Sequence, residues 1–322
     1  MTRQRLLTIV RVGIAVVTLA AVVYAVVKNW ADVSVHLKEI SWQEFALASV
    51  AAAIGTWLTM IGWKTILRDL GSDLPMAPAT GIYFVGQLGK YLPGSLWSVL
   101  VQADIASHLK VPRRRTAVTG LLALGLSLLT GLLVGLPAGS LLLRRDSDGF
   151  AWWTLLAIPI VVVLLWPRLL NAIIARMLTL LRREPLEHDL SGRAVLLSVA
   201  TFIGVWLCFG AHTLLLAHAV SEDGAAHPDL VVASVSGYAL SVSLGMLTIV
   251  LPAGLGAREG LLTLILATAM PTPAAAAVAI VSRFIVTIVD VLAALVGWLY
   301  ARSHHLVTER RAEQSERAEQ SL

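Results

Sequence analysis

Three cations, Lys90, Arg258 and Arg283, lie inside long apolar stretches, and so do two carboxylates, Glu259 and Asp290. A charge at bilayer depth costs about 2.5–3.5 kcal/mol or more, so it marks a partner or a ligand. Lys90 sits in Gly86-Gln87-Leu88-Gly89-Lys90-Tyr91-Leu92-Pro93-Gly94-Ser95. Arg258 and Glu259 sit in Leu251-Pro252-Ala253-Gly254-Leu255-Gly256-Ala257-Arg258-Glu259-Gly260. Both are glycine-proline interruptions. Helix broken within hydrocarbon frees backbone N–H and C=O groups that only protein or a water-filled cavity can satisfy. A helix that restarts there offers N–H groups to an anion, and a guanidinium can grip a phosphate bidentately. The chemistry is that of holding or passing an anionic polar group. Gln87, Pro93, Gly94, Gly254 and Gly256 are read as its support.

Each residue also has a plainer reading. Lys90 can snorkel to the surface. Glu259 can be an N-terminal helix cap, favoured there by the helix dipole. Arg258 either holds a phosphate or pairs with a carboxylate such as Asp290 or Asp104. Arg283 and Asp290 are seven residues apart, two helical turns or about 10 Å, so both face the bundle interior. They serve an ion-pair network or a ligand site. His212 and His218 do not share a helix face as a metal pair at i, i+4 would, and read as packed or interfacial. Cys208 reads as a small buried hydrophobe. No metal, nucleotide or hydrolase motif is present, so neither an enzyme nor a cofactor is expected.

The surrounding elements are set by composition. The 322 residues are 57% hydrophobic and 14% charged, with mean hydropathy +0.79. A soluble domain carries roughly 25% charged residues. Apolar runs near 20 residues recur, which implies an all-α, polytopic membrane protein with about seven to eight spans. One or two of its helices should be re-entrant or broken. The basic residues sit mostly in short loops and set topology rather than bind nucleic acid.

Arg3, Arg5 and Arg11 lead into a first span ending near Val27, with a cleaved signal peptide as the alternative. The amino terminus is expected in the cytoplasm. The second span covers 42–66. Segment 80–106 has basic residues on both sides, Lys64 and Arg68 before it and Arg113-Arg114-Arg115 after it. It is expected to turn at Leu92-Pro93-Gly94 and leave on the side it entered. The third span covers 117–143, and Arg144 and Arg145 follow it. Trp152, Trp153 and Trp166 bracket a fourth, and 168–181 reads as an amphipathic helix on the inner surface. Spans at 194–219 and 230–250 follow, separated by a loop with Glu222, Asp223 and Asp229. Segment 252–270 is read as a short broken crossing, re-entry being the alternative, before a last span at 274–300. The expected division is a membrane domain over 1–301 and a charged, low-complexity cytoplasmic tail over 302–322, in which Arg311-Ala312-Glu313-Gln314-Ser315 recurs as Arg317-Ala318-Glu319-Gln320-Ser321.

The two interruptions, with Arg283, resemble a known family. Gly86-x-x-Gly89-Lys90-Tyr91-Leu92-Pro93-Gly94 is similar to its "G-x-x-x-K-Y-x-P-G" segment. Leu251 to Glu259 is similar to its "P-G-G-L-G-x-R-E" segment, with Ala253 where a glycine is usual. The family is the lysylphosphatidylglycerol synthase transmembrane region, also described as flippase-like. The resemblance implies movement of a modified phospholipid between leaflets. In two-part members a separate soluble domain carries aminoacyl transfer. The chain reaches Leu322 soon after its last span, so a stand-alone member is expected, in the cell membrane.

The resulting expectation is a translocase for an anionic phospholipid or a polyprenyl-phosphate-linked head group. Lys90, Arg258 and Arg283 would attract the phosphate, and Glu259 and Asp290 would position those cations. The rival is a non-transporting accessory subunit of a glycosyltransferase or lipid-modifying enzyme. The Arg113 cluster, the 168–181 helix and the tail would then be docking surfaces.

Overall fold

A computed structural model describes residues 35, 38–91, 96–143, 158–180, 182–221, 227–248, 254 and 256–303. Among them the chain is helical and contains no strand. The helices are α1 (Trp42–Asp69), α2 (Met76–Gln87), α3 (Trp97–Ser107), α4 (Arg113–Leu143), α5 (Ile158–Leu164), α6 (Pro167–Leu180), α7 (Gly192–Ala219), α8 (Pro228–Leu247), α9 (Ala257–Leu266) and α10 (Thr272–Ser303). A 3-10 turn, Leu88–Tyr91, continues α2. The first span, the Pro93-Gly94 turn, Arg144 and Arg145, Trp152 and Trp153, Glu222 and Asp223, Pro252 and Ala253, and the tail lie outside the described residues.

Five helices, α1, α4, α7, α8 and α10, are long and apolar enough to cross a membrane. The number becomes six if α5 and α6, bent by 58° to each other, count as one span. The expected seven to eight spans are therefore not reached among the described residues. Local sequence explains where these helices start. Ser41 accepts the Glu44 N–H and Glu44 returns a bond to the Ser41 N–H, a reciprocal cap for α1. Ser191 caps α7 by accepting the Ala194 N–H. Pro167 begins α6 and forces the bend, because it cannot continue the hydrogen-bond ladder of α5. Helix α6 is amphipathic as expected, with Leu170, Ile174 and Leu178 buried at four-residue spacing and Arg168 and Arg176 exposed.

Small residues let the long helices approach closely, as packing within lipid favours. Gly55 and Gly62 of α1 lie against Phe209 and Phe202 of α7, and Gly131 and Gly135 of α4 lie against Ser243 and Leu240 of α8. His212 is fully buried between Ala48 O at 2.9 Å and Ser282 Oγ at 3.0 Å, the packed histidine the sequence implies.

Helices α2 and α3 are each about 16–18 Å long, half a bilayer core. They pack antiparallel: Gly86 abuts Gln102, and Gly89 abuts the backbone of Trp97 and Ser98. Their outer ends are tied together by arginines. Arg113 bonds Ser107 Oγ at 3.1 Å and Asp104 at 2.6 Å. Arg115, nearly buried, bonds Gly71 O, Ser72 Oγ and Glu187. Arg114 bonds Glu184 O, and Asp69 bonds Ser191. Segment 76–107 is thus a hairpin that starts and finishes at this basic end. Cysteines placed at Ser72 and Ser107, with Cys208 replaced by serine, should both react with an impermeant maleimide from one side of the membrane. Labelling from opposite sides would contradict the hairpin.

Segment 252–270 corrects an expectation. Helix α9 runs back along α8, with Gly245 facing Arg258 and Gly237 facing Ile265. At about 15 Å it is too short to cross. The segment is therefore the return arm of a second hairpin, not a broken crossing. Its reversal is built on Gly254 (φ 67°) and Gly256 (φ 85°), in the left-handed region open to glycine. A Cβ at Gly254 would also come 3.0 Å from Gly245 O. Helix α10 then runs antiparallel to α2, pairing Asp290 with Lys90 and Gly297 with Thr80, and so finishes at the basic end.

Candidate functional site

The two hairpins enter the bundle from opposite ends, and their tips meet beside the middle of α10. The first tip brings Lys90 and Tyr91. The second brings Gly256, Arg258 and Glu259. Arg283 and Asp290 straddle the midpoint of the 32-residue α10. All five sequence-predicted charges fall into this one region.

Asp290 is buried and accepts from both residues of the first tip. Lys90 Nζ lies 2.7 Å from its Oδ2, and Tyr91 Oη donates to the same oxygen at 2.6 Å. Lys90 keeps about 30% of its side chain exposed, so it is neither a free surface lysine nor a sealed ion pair. Glu259 caps α9: its Oε2 accepts the Gly256 N–H at 2.7 Å. Its Oε1 has no hydrogen bond but lies 3.5 Å from Arg283 Nη1. The Arg283 guanidinium also sits 5.9 Å from the Tyr91 ring, linking the two tips.

Arg258 differs from the others. It is 7% exposed. Its Nη2 donates to Tyr238 Oη at 2.8 Å, and its guanidinium stacks 4.8 Å from the Tyr238 ring. Among the described residues no carboxylate lies within 4 Å of it. Neither expected partner is there: Asp290 is taken by Lys90 and Tyr91, and Asp104 is an exposed partner of Arg113. Among the described residues the cluster brings together three cations, Lys90, Arg258 and Arg283, and two carboxylates, Glu259 and Asp290, and neither carboxylate reaches Arg258.

Of the supporting residues, Gly254 and Gly256 shape the second tip. Gln87 donates to Tyr83 Oη at 3.1 Å, one turn before Lys90, and does not reach the charges. Sequence reasoning gave no role to Tyr91 and Tyr238, whose hydroxyls complete the coordination of Asp290 and Arg258. The signal within reach was Tyr91 itself, beside a lysine in a helix break. Tyr238, in an apolar helix 20 residues before Arg258, carried none. No group of three metal-ligating side chains occurs among the described residues.

Fold and cluster define a polytopic helical membrane protein with a buried, cation-rich centre. The family described as lysylphosphatidylglycerol synthase TM region matches over residues 9–294, and the chain belongs to that family. It is thus a membrane protein related to lipid handling. No curated protein matches it.

Proposed function

We propose that this protein is a translocase that passes an anionic phospholipid or a polyprenyl-phosphate-linked head group between leaflets of the cell membrane. The observation that carries the reading is Arg258, a buried guanidinium with no carboxylate within 4 Å among the described residues. A buried guanidinium with no carboxylate is costly, and one phosphate beside Arg258 would balance the cluster. Arg283 and Lys90 would flank that phosphate, held in place by Glu259 and Asp290. The acyl or prenyl chains would stay in lipid. No residue is assigned a catalytic role, and no nucleotide motif supplies energy, so movement is downhill or ion-coupled. The amino terminus lies on the cytoplasmic side in this reading.

An accessory role, seating a glycosyltransferase or lipid-modifying enzyme, is the weaker reading. It uses Arg113, Arg114 and Arg115 as a docking surface, yet all three are engaged within the chain. Reconstitution into liposomes separates the two. The purified protein should speed movement of a fluorescent phospholipid with an anionic head group between leaflets, relative to protein-free vesicles, and should do less for a phosphatidylcholine analogue. Equal rates with and without protein would remove the translocase reading.

A further inference from the structure

Helix α6 takes no part in the charge cluster. It has 14 residues and is about 21 Å long, yet both of its ends lie at the basic end of the bundle. Pro167 at its start abuts Gly192, the first residue of α7, where a Cβ would lie 3.6 Å from the proline ring. At its finish the Arg183 N–H bonds back to Leu178 O at 2.8 Å, and Glu184 O accepts from Arg114 in the first turn of α4. The starts of α4 and α7 share a level with the finish of α1, because Arg115 reaches Gly71 O and Asp69 reaches Ser191. Helix α6 therefore lies across the end of the bundle, at the height where crossing helices leave the hydrocarbon. Its outward side is divided. Trp166, Ile173 and Leu180 form one line at seven-residue spacing and are 57%, 49% and 83% exposed. Arg168 and Arg176 are exposed beside that line, and so are Arg182, Arg183 and Arg193 just beyond it. None of these five arginines lies within 4 Å of a described carboxylate; Glu184 and Glu187 are taken by Arg114 and Arg115.

Height sets the class of partner and charge sets its sign. A line of Trp, Ile and Leu at this level meets the acyl boundary of a bilayer, and cations beside it meet head-group phosphates. The helix is also fastened to the root of the first hairpin. Asn171 holds Leu190 twice, donating to its O at 3.0 Å and accepting its N–H at 2.9 Å. Leu190 belongs to a strap, residues 184–191, that crosses this root. Glu187 bonds Arg115 at 2.7 Å, and the same guanidinium holds Gly71 O and Ser72 Oγ. The His188 ring lies against Gly71, where a Cβ would come 2.8 Å from Nδ1. We propose that α6 is a docking surface for the anionic lipid of the adjoining leaflet, and that its seating there closes the 184–191 strap over the root of the first hairpin. The lipid here is a surface to rest on and not a cargo, so failure of the translocase reading leaves this one standing.

Two measurements on the full chain in nanodiscs test it. In Cys208→Ser protein, a fluorophore on Ile173→Cys should be quenched by nitroxide-labelled lipid, and one on Thr179→Cys by aqueous iodide. Iodide quenching at both positions would leave the apolar line in water and overturn the proposal. Hydrogen exchange of the strap is then compared in discs of phosphatidylcholine alone and of phosphatidylcholine mixed with phosphatidylglycerol. Exchange should be about tenfold slower in the mixed discs, the scale of two arginines near an anionic surface. Molar salt should erase the difference by screening. The double variant Arg168→Gln, Arg176→Gln should erase it as well, while Arg258→Met should keep it. Equal exchange in the two kinds of disc, or slowing that survives in the double variant, would overturn the proposal. Slowing lost in Arg258→Met would assign the effect to lipid in the charge cluster, and so overturn it while supporting the translocase reading.

Discussion

Replacing Arg258 should weaken binding of anionic lipid strongly and cost the fold little. Arg258→Lys keeps the charge but loses the paired donors of the guanidinium, so affinity should fall about 10-fold or more, the scale of one or two charge-assisted hydrogen bonds. Arg258→Met removes the charge and should lose more. Stability should respond differently. The methionine removes a buried cation that no carboxylate answers, which offsets the lost Tyr238 bond of about 1 kcal/mol. Thermal unfolding in detergent should therefore place Arg258→Met within about 1 kcal/mol of wild type or above it. Unfolding of both variants would make Arg258 a structural ion. Unchanged lipid binding in both would hand the function to the accessory reading.

Asp290→Asn should act with the opposite sign on stability. Asp290 is buried and answers Lys90 at 2.7 Å and Tyr91 at 2.6 Å. Asparagine keeps an acceptor for one of them but leaves three cations facing Glu259 alone. Breaking a buried pair costs about 3–5 kcal/mol, and the partial exposure of Lys90 lowers the expectation to about 2–3 kcal/mol. The unfolding temperature should drop clearly. Asp290→Asn combined with Lys90→Met should recover much of the loss, because the stranded cation is gone. A melting temperature unchanged by Asp290→Asn alone would show that the pair does not hold the first tip in place.

Much of this architecture could be read from the sequence, because the signals were local. Apolar runs gave the long helices. Basic residues on both flanks of 80–106 gave the first hairpin, and Arg113 and Arg115 now tie its ends. The spacing of Arg283 and Asp290 gave their common face. The second hairpin was misread because α8 is itself long enough to cross, so counting apolar residues hides its early stop and the return of α9. Only the contacts of Gly237 and Gly245 reveal direction. The site was half legible. Intramembrane charges announce themselves, but their pairing joins residues as far apart as Tyr91 and Asp290. The Arg113 cluster marks topology in the sequence but not its own partners: Glu184 and Glu187, about 70 positions away, carry no sign of pairing with it.

The meeting point of the hairpins also has an electrical meaning. Arg283 and Asp290 straddle the middle of α10, so an anion that reaches Arg258 from either surface has crossed about half of any transmembrane voltage. One elementary charge moved through 100 mV changes energy by about 2.3 kcal/mol, so half the field is worth about 1.2 kcal/mol. Among the described residues the side chains of the cluster sum to one positive charge, which a bound monoanion would neutralise. In the proposed translocase, voltage would therefore act on the anion's entry and departure and not on the occupied centre.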